Sequence, residues 1–183
     1  MAAPIEYIPG FIRNPNQMYE VLLRLPWQRR SDGAFGHPVP RDEVWIAPYP
    51  YYYSRRLYPA YDGWTEELLT IKQAVEAKTG VEHDSVLCNL YRTGKDSVAF
   101  HCDCEDEMSP FHPIASVSLG AERDFLMQSK DKTVKEKMTL GNGSLLIMKA
   151  GMQQEWEHAI NKTSRNVGGR INLTFRVMTR NLR

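Results

Sequence analysis

The sequence predicts a mainly β domain with flanking helices, and three observations carry that prediction. After Gly80 the chain breaks into eight short alternating or β-branched runs: SVLCNLYR, SVAFHCD, PIASVSLG, RDFLMQS, KEKMTLG, GSLLIMKA, EWEHAI and RINLTFRVM. Turn residues separate them, and runs so closely spaced form a β-sandwich or barrel. Ahead of them stands the best helix in the chain, TEELLTIKQAVEAKTG. Nowhere do 18 apolar residues run together, which excludes a membrane-spanning helix. The helices are therefore expected to buttress one sheet.

Taken in order, NPNQMYEVLLRLPW (14 to 27) places Asn14 before a helical pattern of Tyr19, Leu22 and Leu23, with Pro26 as the stop. SDGAFGHPVPRDE reads as loop. In WIAPYPYYYSRRLYPAYDGW, prolines cut any regular element short, and so many tyrosines are not expected to be pure core. In the helix over 65 to 79, Thr65 caps, Glu66 and Glu67 complement the N-terminal dipole, and Gly80 ends it. Leu68, Leu69, Ile71, Ala74 and Val75 are its expected buried stripe. No repeat, low-complexity tract or linker divides the chain. One domain over 1–183 is expected, with about 1–64 forming an N-terminal helix and lid region and about 65–183 the buttressing helix and β core.

Composition is that of a soluble globular protein: 42% hydrophobic, 25% charged, and a net charge of +1. Near neutrality does not forbid nucleic acid, because a local basic stripe binds phosphate without a high overall pI. RLPWQRR, SRRL and the C-terminal TFRVMTRNLR supply such clusters. MAAPIEYIPG lacks the basic start and apolar stretch of a signal peptide, so a cytoplasmic or nuclear location is expected. The three cysteines should then be reduced thiols, and their odd number argues against a disulfide framework.

HCDCED (101 to 106) is the chemically densest stretch. Thiolate zinc, an iron site on His and Asp, and a polar strand end are all compatible with it. Zinc on thiolates needs more cysteines than Cys88 alone can add. His101 and Asp103, two apart, share one face of a strand, while Cys102 and Cys104 share the other. One more histidine completes a 2-His-1-carboxylate triad, which leaves coordination positions open. His158 in EWEHAI is the candidate, while His37, His83 and His112 can face solvent. In RINLTFR, Arg170, Asn172, Thr174 and Arg176 alternate with Ile171, Leu173 and Phe175, giving one cationic and one oily face. A solvated outer strand alternates too, but an inward arginine needs a carboxylate partner.

NLYR (89 to 92), His101 with Asp103, PIASVSLGAERDF, GNGSLLIM, His158 and RINLTFR together resemble the AlkB family of Fe(II)- and 2-oxoglutarate-dependent dioxygenases, in its nucleic-acid demethylase branch. The resemblance covers about residues 85 to 178. It implies a double-stranded β-helix, or jelly roll, with His101, Asp103 and His158 as iron ligands. It gives Arg170 to the distal carboxylate of 2-oxoglutarate, Asn89, Tyr91 and Asn172 to hydrogen bonds with that cosubstrate, and Arg176 to its iron-bound end. The activity implied is oxidative demethylation of N1-methyladenine or N3-methylcytosine in DNA or RNA, consuming O₂ and releasing formaldehyde, succinate and CO₂. Alternatives are hydroxylation of an intact base, a non-catalytic binding relative, and a protein or lipid substrate. No residue beyond the metal site is needed as a nucleophile.

By the same resemblance, Tyr51 and Tyr53 form part of a lid over the base, Glu105 contacts the base edge, and Phe35 and Arg41 belong to a loop that acts on the duplex. The lysine-rich SKDKTVKEKMTLGN is either a solvated hairpin or an added phosphate contact. The partner expected is nucleic acid with its methylated base flipped or single-stranded, with no membrane and a monomeric enzyme.

Overall fold

The β12 strand (Arg170–Arg176) sits in the middle of a six-stranded sheet and is buried along its whole length. The computed structural model describes residues 2–30, 38–53 and 56–179. The large sheet runs β1 (Ile5–Ile8), β10 (Ser144–Met148), β7 (Ile114–Gly120), β12, β5 (Ser85–Tyr91) and β2 (Asp42–Ile46). A four-stranded sheet runs β6 (Val98–His101), β11 (Trp156–Ile160), β8 (Arg123–Ser129) and β9 (Lys135–Leu140). From β5 onward the chain passes back and forth between the sheets with antiparallel pairing, as a jelly roll does. A separate hairpin joins β3 (Tyr51–Tyr53) to β4 (Arg56–Tyr58).

The two-residue period of RINLTFR decides what each face of the large sheet does. Ile171, Leu173 and Phe175 point to one layer, where they meet Leu22 of α1 (Pro15–Leu22) and Leu68, Ile71 and Val75 of α2 (Glu66–Thr79). Burying each such side chain contributes about 1.5–3 kcal/mol, so this oily layer anchors the strand. The opposite face looks across at the small sheet, where Leu87, Phe125, Met127, Met148 and Ile160 form a second core. Arg170, Asn172, Thr174 and Arg176 are thereby forced into the interior. At the β7–β8 turn Gly120 has φ +85°, and a Cβ there would meet the Gly169 carbonyl at 2.4 Å; only glycine lets the start of β12 approach so closely.

Both helices form where expected, with differences. Thr65 accepts from the Leu68 amide at 3.3 Å and Gly80 closes α2 with φ 70°. Its buried stripe is narrower than expected: Leu69 is 40% exposed and Ala74 lies on the outer face, because the helix touches the sheet along one line only. α1 ends at Leu22 rather than at Pro26. The Arg24 and Leu25 amides bond back three residues to Val21 and Leu22, a tightened turn made necessary by the missing proline N–H. The lysine-rich insert is the β8–β9 hairpin.

His83 is fully buried, not solvent-facing, and neither ring nitrogen has a hydrogen-bond partner. It packs edge-on against Phe175 at 6.2 Å. Burial pushes its pKa below the usual 6.5. The unfolded chain then takes up a proton first as pH falls, so the imidazole costs stability below about pH 6.5. His83→Leu is expected to flatten the fall in melting temperature of the metal-free protein between about pH 7 and 5. An unchanged slope would show that His83 does not carry it.

Candidate metal and cosubstrate site

His101 closes β6, and His158 sits directly opposite it on β11. Their rings lie 4.3 Å apart, and Phe125 of β8 stacks on His158 at 5.3 Å. Asp103 does not continue the strand, contrary to the expectation of a shared strand face. The chain bends there, and the Asp103 amide donates to Gln153 Oε1 of α3 (Met152–Glu155) at 2.9 Å. The bend brings Asp103 Oδ1 to 3.7 Å from His101 Nε2 and Oδ2 to 4.0 Å from His158 Nε2. One ligand atom from each residue lies within 4.8 Å of the others, a grouping that can hold a metal ion.

Protonation favours a metal as well. Burial lowers the His158 pKa to about 3, with His101 adding to the effect and Asp103 opposing it. Burial also lowers His101. Burial on its own would raise the Asp103 carboxyl, but Arg176, joined by His158 and His101 once acid protonates them, outweighs it and holds the pKa at about 2. Near neutral pH the site therefore presents two neutral imidazoles and a carboxylate, the states that bind metal. His101 Nδ1 lies 2.8 Å from the Ala99 carbonyl, which fixes the proton on that nitrogen and leaves Nε2 as the donor.

A cavity runs from this triad along the polar face of β12. At its far end Arg170 is 2% exposed, and Nη2 donates to Ser118 Oγ at 2.9 Å. Its Nε and Nη1 are buried and have no hydrogen-bond partner. A guanidinium keeps its charge when buried, so two idle nitrogens there call for a carboxylate from a ligand. The 2-oxoglutarate molecule, with a keto acid at one end and a carboxylate at the other, fits a cavity with a metal triad at one end and this arginine at the other. Between them, Asn172 donates to Ser116 Oγ at 2.7 Å and accepts from Thr174 Oγ1 at 3.0 Å. Nearer the triad, Arg176 Nη2 donates to Asp103 Oδ1 at 2.8 Å.

A family profile described as the 2OG-Fe(II) oxygenase superfamily matches residues 6–176. The chain belongs to that superfamily. Membership brings Fe(II) and 2-oxoglutarate with it, and among the described residues His101, Asp103 and His158 are the group able to hold the iron. Curated relatives that this oxygenase matches include AlkB homologues. It is 38% identical to the alpha-ketoglutarate-dependent dioxygenase alkB homolog 3 of Bos taurus over 93% of this chain and 64% of that protein. It is 31% identical to the DNA oxidative demethylase ALKBH2 of Arabidopsis thaliana over 84% of this chain and 59% of that one. The oxygenase thus spans under two thirds of the length of these relatives. The solved structure of OsALKBH1 shares the fold, with a TM-score of 0.71 and 16% identity over 97% of this chain and 98% of that one.

The other expected residues of the oxygenase fall in several places. Asn89 and Tyr91 line the cavity, and Tyr91 lies between Arg123 and Arg170, whose guanidinium carbons are 5.7 and 5.2 Å from its ring. Arg41 is buried and also lines the cavity, with Nε donating to Asn89 Oδ1 at 2.8 Å. Tyr51 is fully buried and stacks on Trp45 at 4.7 Å, with its ring 5.9 Å from Arg176. Glu105 lies beyond the strand and beside Tyr51, and burial raises its pKa, with Asp103 adding to the rise and Arg176 opposing it. Phe35 and the Tyr53 side chain lie outside the described residues.

The structure corrects the reading of the cysteines. Cys102 and Cys104 are joined in a disulfide around Asp103, with Cα atoms 5.3 Å apart, where two reduced thiols facing away from the ligands were expected. Because β6 stops at His101, strand alternation does not govern the next residues, and the bend brings the two sulfurs together. Cys88 remains a free, buried thiol, and burial pushes its pKa up. Ser116 and Ser118 were not anticipated as parts of the site. The alternation in PIASVSLG is their signal: Ser116 and Ser118 pair in register with Thr174 and Asn172 and turn to the same side.

Proposed function

We propose that the chain is an oxidative demethylase of nucleobases methylated on a ring nitrogen, N1-methyladenine and N3-methylcytosine, in DNA or RNA. The observation that carries this reading is one cavity with a metal-binding triad at one end and the idle nitrogens of Arg170 at the other. The relatives support the choice of substrate, since several are named DNA oxidative demethylases.

Arg170 would hold the distal carboxylate of 2-oxoglutarate by two parallel hydrogen bonds, fixing the keto acid end toward the triad. Asn89, Tyr91 and Asn172 line its path. Arg176 holds Asp103 in one orientation and offsets negative charge gathered at that end. Leu87, Val98, Phe125 and Ile160 wall the cavity with apolar surface and limit water. Iron bound with 2-oxoglutarate and O₂ supplies oxidation of a substrate C–H bond, with succinate and CO₂ as coproducts. A hydroxylated N-methyl group is a hemiaminal and sheds formaldehyde without help from a protein nucleophile.

A methyl on the pairing edge of a base is hidden inside a duplex, so the substrate is a single strand or a flipped base. The β3–β4 hairpin stands beside the triad through Tyr51 and Arg176, and Tyr52 presents an exposed ring on it. By the family resemblance Glu105, which interacts with Asp103 and Tyr51, would meet the base edge. The test is to incubate the protein with Fe(II), ascorbate, 2-oxoglutarate and methylated or unmethylated oligonucleotides, single- and double-stranded, and to weigh the bases by mass spectrometry. Methylated bases are expected to return to the unmodified mass. Gain of one oxygen on an unmethylated base would instead assign a modification role, and no change would contradict both.

A further inference from the structure

An unbroken chain of buried polar contacts ties the β3–β4 hairpin to the cosubstrate cavity. The Tyr58 hydroxyl donates to Glu43 Oε2 at 2.6 Å, Glu43 Oε1 pairs with Arg41 Nη2 at 2.6 Å, and Arg41 Nε donates to Asn89 Oδ1 at 2.8 Å. Arg41 and Asn89 are cavity wall, whereas Tyr58 belongs to β4 and stands opposite Tyr51 in the hairpin register. None of the four is more than 6% exposed. A shift at one end of such a chain cannot be absorbed by solvent.

Charge gives the chain a reason to respond to ligand. Glu43 places a carboxylate just behind the wall of a cavity that is to receive a dianion, and Arg41 lies between the two. Bound there, 2-oxoglutarate would draw the Arg41 guanidinium toward the cavity and away from Glu43. Glu43 then depends more on the Tyr58 hydroxyl, which pulls β4, and with it Tyr51 above Arg176, into one seat.

We propose that Tyr58 and Glu43 are positioning residues that couple the seating of the β3–β4 hairpin, and so substrate binding, to occupancy of the cavity by 2-oxoglutarate. The inference rests on the oxygenase reading above. The Arg41–Glu43 pair is the element that both ligands bias. Linkage requires the effect to be mutual: substrate under the hairpin tightens 2-oxoglutarate by the factor with which 2-oxoglutarate tightens substrate.

The full chain, loaded with Mn(II) in place of iron, is titrated with 2-oxoglutarate by calorimetry, with and without a single-stranded oligonucleotide carrying N3-methylcytosine. The oligonucleotide is expected to lower the 2-oxoglutarate Kd at least about fivefold in the unsubstituted protein. Tyr58→Phe keeps the ring and removes one hydroxyl. It should bring that ratio to within about twofold of one, with Kd in the absence of oligonucleotide changed less than about twofold. Glu43→Gln should lose the ratio as well.

Tryptophan emission gives a second reading on the unsubstituted protein, because Trp45 stacks on Tyr51. 2-Oxoglutarate should change the emission, and Trp45→Phe should remove the change. A Tyr58→Phe protein with an unaltered melting temperature and the full ratio overturns the coupling. So does a ratio of one, or a silent Trp45, in the unsubstituted protein that still binds 2-oxoglutarate. Failure of the unsubstituted protein to bind 2-oxoglutarate at all overturns the reading of the site and this inference with it.

Discussion

His158→Ala and Asp103→Ala are both expected to abolish turnover and metal binding, yet to differ in what they do to the fold. His158 is a neutral imidazole whose Nδ1 has no hydrogen-bond partner, so its loss breaks no buried ion pair. Asp103 is the carboxylate 2.8 Å from Arg176, with both side chains 3% exposed. Its removal takes a charge partner from a buried guanidinium, which costs roughly 3 kcal/mol or more. The metal-free Asp103→Ala protein should therefore melt well below the unsubstituted one, and His158→Ala should melt higher than Asp103→Ala. Metal titration under anaerobic conditions and thermal unfolding read the two effects separately. Equal melting temperatures would show that the Asp103–Arg176 pair does not support the fold.

Arg170→Ala is expected to spare the metal and lose the cosubstrate. Two hydrogen bonds from a buried guanidinium to a carboxylate contribute about 1.5–3 kcal/mol each, so 2-oxoglutarate affinity should fall at least about 100-fold. Arg170→Lys should recover little, because an ammonium cannot make the parallel pair. Metal affinity should stay near that of the unsubstituted protein, since the Arg170 side chain bonds Ser118 and is not one of the residues grouped to hold the metal. The measurement is a 2-oxoglutarate titration of the Mn(II)-loaded variants. A cosubstrate affinity unchanged in Arg170→Ala would place the distal carboxylate elsewhere.

Much of this architecture is legible in the sequence. The eight runs after Gly80 correspond to β5 through β12, because their period-two alternation reflects burial against a neighbouring layer. RINLTFR announced both the oily and the polar face of the strand that carries Arg170. β1 and β2 were not legible. IEYI lies between prolines, and DEVWI opens with two acids, which are poor strand formers. β2 is held because Asp42 is clamped by Arg29 and Arg92 and Glu43 by Tyr58 and its neighbour Arg41; Arg29, Tyr58 and Arg92 come from other segments, which no local pattern reveals.

The candidate site was legible in its charged members and less so in its neutral ones. His101, Asp103 and His158 could be picked from chemistry and spacing, although the bend that brings Asp103 to the histidines could not. Serines are common on strands, so Ser116 and Ser118 gained meaning only through register with β12. The disulfide around Asp103 was hidden for the same reason as the bend: strand alternation was extended past the residue at which the strand ends.

The central claim is that one cavity joins consumption of 2-oxoglutarate to removal of a methyl group. Counting the products of a single reaction on an oligonucleotide carrying N3-methylcytosine tests it most directly. Succinate, formaldehyde and restored cytosine are expected in equal amounts, with all three absent when His158 is replaced by alanine. Succinate formed without formaldehyde or restored base, at a rate indifferent to the methylated oligonucleotide, would contradict the account.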